Sequence, residues 1–115
     1  MGVIDIVLTH GAIFVAEGDP QDPSPVRGGL VGMLAVIVLP HFITGALCAE
    51  EVCWWVEPRY RRRGLGPQLL GVATDWAGQE GATMLKMVAP AGSDVGRFYE
   101  TVGFTAVETA YQKRL

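Results

Sequence analysis

Residues 30–38, LVGMLAVIV, constrain the fold more than any other segment. The run is uncharged, nearly continuously apolar and rich in β-branched residues, the pattern of a strand covered on both faces. A chain holding such a strand must build layers around it, with a sheet in the middle and helices outside. Extended to Leu39, the run is still far too short to cross a bilayer.

The flanking segments fit that plan. AIFVAE (12–17) reads as a strand, preceded by the end of a helix in residues 3–10. Residues 18–29, GDPQDPSPVRGG, concentrate proline, glycine and aspartate, so they form an exposed connection. PHFITG turns the chain into the strand EEVCWWVE (50–57), on which Trp54 and Trp55 must point to opposite faces. Leu65, Leu69, Val72 and Trp76 then recur at helical spacing, widened by Leu70, Ala73 and Ala77. Pro67 suits the first turn of that helix, and Gly78 and Gly81 stop it. TMLKMVA (83–89) is the next strand. Ser93 or Asp94 can cap a second helix with the stripe Val95, Phe98, Tyr99 and Val102, ended by Gly103. FTAVETAYQKRL closes as one or two strands. The order is β-β-β-α-β-α-β, an α/β (α+β) fold with a mixed sheet.

Composition narrows the function. The 115 residues make one domain, 1–115, able to bury a core without metal or disulfide staples. Half the residues are hydrophobic and 18% are charged, which excludes disorder. A net charge of −3 argues against a protein that coats nucleic acid. The first residues lack the basic region of a signal peptide. Cys48 and Cys53 have neither CxxC spacing nor histidines at metal-ligand spacing, so no metal site is expected. A reduced, cytoplasmic protein is the simplest reading. His10 and His41 are isolated, Cys53, Met84 and Met87 read as core filling, and Arg97 as an exposed helix residue.

Against this acidic background EPRYRRRGLGPQLL (57–70) stands out: Arg59, Arg61, Arg62 and Arg63 precede Gly64-Leu65-Gly66 and a helix. Glycines let a backbone turn sharply and approach a ligand. The first N–H groups of a helix have no internal acceptor and lie at the positive end of its dipole. The combination suits a pyrophosphate, with arginines adding charge at the rim. A solvated structural turn is an equal reading of these residues alone, and RYRRR could contact single-stranded nucleic acid through Tyr60. The segment is neither a P-loop, because no Gly-Lys-Ser/Thr follows, nor GxGxxG, because Leu69 takes the third glycine's place.

The sequence resembles the GNAT superfamily of N-acetyltransferases. Arg61, Gly64 and Gly66 match its Gln/Arg-x-x-Gly-x-Gly/Ala signature, after Val56-Glu57-Pro58. FYETVGF, 98–104, matches its downstream aromatic-Tyr-Glu-x-x-Gly-Phe signature. The front is shorter than the family's usual strand and two helices. Gly92 and Val95 stand where the family carries Asn and Ala.

The resemblance implies acetyl-CoA as co-substrate and a primary amine as acceptor, with direct transfer in a ternary complex. It places the pyrophosphate on the backbone of Arg61, Arg62, Arg63, Gly64, Leu65 and Gly66, and the pantetheine arm along Trp54, Trp55 and Val56. Tyr99 stands where the family protonates the departing thiolate. Glu50, or its neighbour Glu51, stands where some members carry a base. The short front leaves a second reading open, a non-catalytic acyl-CoA-binding or protein-interaction module of the same fold. The incomplete front and an apolar strand edge favour a homodimer.

Overall fold

The computed structural model describes residues 3–7, 10–19, 21 and 29–115. Strands β1 (Val3–Val7), β2 (Gly11–Glu17), β3 (Leu30–Pro40) and β4 (Leu47–Val56) come first. A 3-10 turn (Pro58–Tyr60), α1 (Leu65–Gln79), β5 (Met84–Lys86) and α2 (Val95–Thr101) follow. The strands form one sheet in the order β1-β2-β3-β4-β5. All neighbours are antiparallel except β4 and β5, which are parallel. This is the mixed, mainly antiparallel sheet expected, with the apolar run as its middle strand.

Cross-strand partners share a face, so the register sorts the side chains. Leu34 is opposite Trp54, Val36 opposite Glu51 and Val38 opposite Ala49, and all belong to the face that α1 covers. Leu65, Leu69, Leu70, Ala73 and Ala77 are the buried residues of α1, close to the predicted stripe. They meet Phe14, Leu34 and Val36, none more than 1% exposed. Trp76 anchors the far end of α1 edge-on against Phe14, ring centroids 5.9 Å apart. Each such fully buried aliphatic or aromatic side chain contributes about 1.5–3 kcal/mol relative to exposure. Ala35 and Ile37 lie on the other face, where with His10, Gly11, Ile13 and Val52 they line an apolar hollow of about 290 Å³.

The register of β4 shifts once. Ala35 pairs with Cys53 and Val36 with Glu51, so Val52 is an extra, bulged residue, 57% exposed. A bulge bends and twists its strand locally. It also brings Glu51 and Trp54, three positions apart, onto the same face.

The ends depart from the sequence reading. Residues 3–7 are not the end of a helix but β1, paired with β2 from Val3 opposite Ala16 to Val7 opposite Ala12. So short an apolar segment has no period of its own to impose, and the free edge of β2 decides its conformation. Residues 104–115 carry no strand, turn or bend, so the final strands expected there do not form. Strand β5 is cut to three residues because its pairing with β4 ends at Glu50 opposite Lys86. The exposed connection expected over 18–29 lies largely outside the described residues. Among the described residues, no helix is long and apolar enough to cross a membrane, and no cluster of metal ligands occurs.

Candidate functional site

The site grows from the parting of β4 and β5. Their parallel ladder runs only from Cys48–Met84 to Glu50–Lys86, and β4 continues to Val56 paired with β3 but not with β5. A parallel pair that separates leaves main-chain groups on the facing edges without partners, and something must supply them. Two side chains of this chain do so at Val88. Its N–H donates to Glu51 Oε1 at 3.2 Å, and its C=O accepts from the Tyr99 hydroxyl at 2.8 Å.

Glu51 and Tyr99 are thereby held side by side. Burial raises the Glu51 pKa above the ordinary carboxyl range, against the lowering effect of the Val88 N–H and the Tyr99 hydroxyl. Burial also raises the Tyr99 pKa well above that of a free phenol, and the neighbouring Glu51 charge and hydrogen bond add to it. Tyr99 therefore keeps its proton through the neutral range, and Glu51 holds one more readily than a surface glutamate. Glu50 pairs with Ile37 and lies on the other face.

The FYETVGF segment positions Tyr99 through its own helix ending. The N–H of Phe104 donates to the Tyr99 carbonyl at 3.0 Å and that of Gly103 to the Glu100 carbonyl at 3.3 Å. This double bond pattern requires a left-handed residue just past the helix, and Gly103 has φ +100°. The turn folds Phe104 back onto the Tyr99 ring, centroids 5.4 Å apart. Trp54 stacks on Tyr99 from the strand side at 5.9 Å and 24°. The motif's glycine and second aromatic thus serve to clamp a tyrosine. At the other end of α2, the cap expected from Ser93 or Asp94 is absent: Asp94 makes no cap bond, and Ser93 Oγ bonds the Pro90 carbonyl at 2.7 Å.

The glycine turn begins α1 as predicted. Gly64 has φ +80°, no side chain caps the helix and no acidic residue lies in its first turn. A Cβ placed on Gly64 would meet no atom within 4 Å, so the turn opens to solvent. A Cβ on Gly66 would come within 3.3 Å of the Trp54 ring, so a larger residue here would press on Trp54 where it packs against the helix start. Arg62 shares the left-handed conformation at φ +66°, which a non-glycine residue adopts at a cost.

The arginines do not act alike. Arg61 turns back, its Nε donating to the Val56 carbonyl at 2.9 Å, and so ties the turn to the end of β4. Arg63 lies over the Tyr60 ring at 4.9 Å. Tyr60 is 2% exposed, and its hydroxyl accepts from the Asp19 N–H at 3.3 Å. A base-stacking role for Tyr60 is therefore ruled out by its burial. Of the strand residues, Trp54 and Val56 face the helix start, whereas Trp55, opposite Met33, lies on the other face at 37% exposure. Leu65 is buried, so only its backbone reaches the turn. Sequence reading did not foresee Val88, whose contribution is purely main-chain and leaves no residue-type signal.

The chain matches the model of the acetyltransferase (GNAT) family over residues 5–104. No curated protein sequence matches it significantly. Among solved structures, a transcriptional regulator from Bacillus halodurans C-125 superposes with a TM-score of 0.76 at 24% identity, over 93% of this chain and 67% of that one. A ribosomal-protein-alanine N-acetyltransferase from Brucella melitensis biovar Abortus 2308 gives 0.68 at 25% identity, over 93% and 71%. Glucosamine-6-phosphate N-acetyltransferase from Arabidopsis thaliana gives 0.75 at 18% identity, over 91% and 67%. The chain thus spans about two thirds of the length of these neighbours. With a family match over most of its length, a bare glycine turn at the head of α1 and a clamped tyrosine at the parting of β4 and β5, the chain belongs to the GNAT acetyltransferase family.

Proposed function

We propose that residues 1–115 form one N-acetyltransferase domain that moves an acetyl group from acetyl-CoA to a primary amine in a ternary complex. The observation that carries this reading is the convergence of Glu51, Val88, Tyr99 and Trp54 at one parting of strands, beside an uncapped helix start. The residues fit the co-substrate. The open space at Gly64 leaves room for a diphosphate, and the helix dipole with Arg62 and Arg63 supplies favourable charge. The main chain of β4 from Trp54 to Val56, beyond its pairing with β5, supplies partners for the amide-bearing arm.

Acetyl-CoA supplies the thioester. The protein supplies two adjacent proton carriers, Glu51 and Tyr99. Glu51, with its raised pKa, accepts the proton that the amine loses as its nitrogen bonds the acetyl carbon. Tyr99, held protonated, gives its proton to the sulfur as the carbon–sulfur bond breaks. A proton passed back from Glu51 to Tyr99 restores both groups. Glu50 faces away from Tyr99, so Glu51 is the better base. A cytoplasmic setting, where acetyl-CoA is made and thiols stay reduced, accords with this chemistry.

The second reading, a binding module without turnover, is favoured by one observation: Arg61 spends its Nε on Val56 instead of facing the open turn. The transferase and an acyl-CoA-binding module both predict that acetyl-CoA stabilises the fold, by about 2.7 kcal/mol at a hundred times its Kd; a protein-interaction module does not. The first two part in a thiol-release assay with a peptide bearing N-terminal alanine and an amino-sugar phosphate as acceptors. Release that Tyr99→Phe slows supports the transferase. Stabilisation without release across a broad amine panel supports an acyl-CoA-binding module, and no stabilisation leaves only the protein-interaction module.

A further inference from the structure

The sheet face turned away from α1 carries the apolar hollow, and the chemistry at Tyr99 makes no use of it. Ile13 and Ala35, partners across β2 and β3, form its floor with Ile37, and Val52 closes its β4 side. Among the described residues, His10 at the β2 end is the one polar side chain that lines it. At about 290 Å³ it stands at the lower limit of small-molecule pockets, a size that suits one compact apolar group.

The β4 side of the hollow is charged. Glu50, opposite Ile37, shares this face. Glu50 is also opposite Lys86 on the last rung between β4 and β5, and Lys86 pairs with Glu108. Two carboxylates thus share one ammonium, and the three together carry one net negative charge, which attracts a cation. Val52 joins the hollow to the reaction centre. Its side chain lines the hollow, while its main chain follows Glu51 where β5 has parted from β4. One strand's width, about 5 Å, separates the two. We propose that the hollow seats the carbon body of the acceptor, a primary alkylamine with one compact apolar group, its ammonium end turned toward Glu50 and the parting. The fate of that amine rests on the transferase reading; its binding does not. An amino-sugar phosphate fits badly, because its hydroxyls and phosphate would leave water for side chains that offer them no partner.

Cyclohexylmethylamine is the probe, with cyclohexylmethanol and an amino-sugar phosphate as controls. Saturation-transfer NMR of the full chain without acetyl-CoA should show saturable binding of the amine. The alcohol should bind about two- to fivefold more weakly, the worth of an exposed ion pair, and the sugar phosphate not at all. Glu50→Gln should weaken the amine by the same factor and spare the alcohol. Ala35→Phe fills the hollow and should abolish binding of both. Val52→Trp, at a position 57% exposed, does the same without loading the core. With acetyl-CoA present, Glu50→Gln should raise the KM for the amine by more than it lowers kcat. No saturable binding, equal binding of amine and alcohol, or binding that survives both fillings overturns the proposal. Thiol release with the sugar phosphate but not with cyclohexylmethylamine also overturns it, and leaves the transferase standing. The expected binding pattern without thiol release from any amine defeats the transferase and the acceptor role, and upholds the alkylamine site.

Discussion

Tyr99 is 6% exposed, and its phenol is held protonated by burial and by Glu51. This has a measurable consequence for stability. In the unfolded chain the phenol titrates near 10, whereas in the folded protein its pKa lies well above that. Between the two values the folded state binds more protons than the unfolded state, so stability must fall as pH rises. The stabilisation is complete below the unfolded pKa and is lost from about pH 10 upward, with a limiting slope of about 1.4 kcal/mol per pH unit. By pH 11 the loss from this group alone amounts to about 1.4 kcal/mol. Tyr99→Phe removes the titration. At neutral pH it should cost about 0.5–1.5 kcal/mol, because the Val88 carbonyl loses its 2.8 Å partner but can be hydrated. Above pH 10 the two proteins should converge and then cross. Urea unfolding of both from pH 7 to 11 tests this. Taking the difference cancels titrating groups remote from Tyr99. Curves that stay parallel to pH 11 would show that the Tyr99 pKa is ordinary and would refute the picture of a phenol locked against Val88 and Glu51.

The same linkage gives Glu51 a signature near the acid end. Its raised folded pKa means that wild type loses stability as pH climbs through the ordinary carboxyl value toward the folded one, and Glu51→Gln should flatten that descent in urea titrations from pH 4 to 7. In thiol-release assays Glu51→Gln should lower turnover more than Glu50→Gln, because only Glu51 adjoins Tyr99; equal losses would remove Glu51 as the base. Leu69→Ala, at a side chain with no exposure, should cost about 2–5 kcal/mol by chemical denaturation. Gly103→Ala, at φ +100°, should cost about 1–2 kcal/mol and lower turnover further by loosening the Phe104 clamp on Tyr99.

Local chemistry was readable in the sequence wherever a residue type imposes a conformation. The uncharged run of β3, the helical spacing from Leu65 to Trp76, and Gly64 and Gly103 all stand where their patterns require. The two signature segments indicated the family and singled out Tyr99, which the fold sets beside Glu51 and Val88. Features set by partners were not readable. Strand β1 exists because β2 offers it an edge, and β5 stops at Lys86 because β4 moves away. The choice between Glu50 and Glu51 depends on which face each occupies beside Tyr99, which tertiary packing decides. The final residues, expected as one or two strands, make no ladder within their own chain.

The surplus residue in β4 has a consequence for how this opening could be reshaped. Removing Val52 would leave Glu51 on Val36 and Cys53 on Ala35, now as consecutive rungs, so the pairing scheme itself has no use for the extra residue. Its contribution is curvature just upstream of Trp54. A single-residue deletion should therefore straighten the mouth of the cleft while sparing the alignment of the strands, separating the shape of the doorway from the order of its bricks.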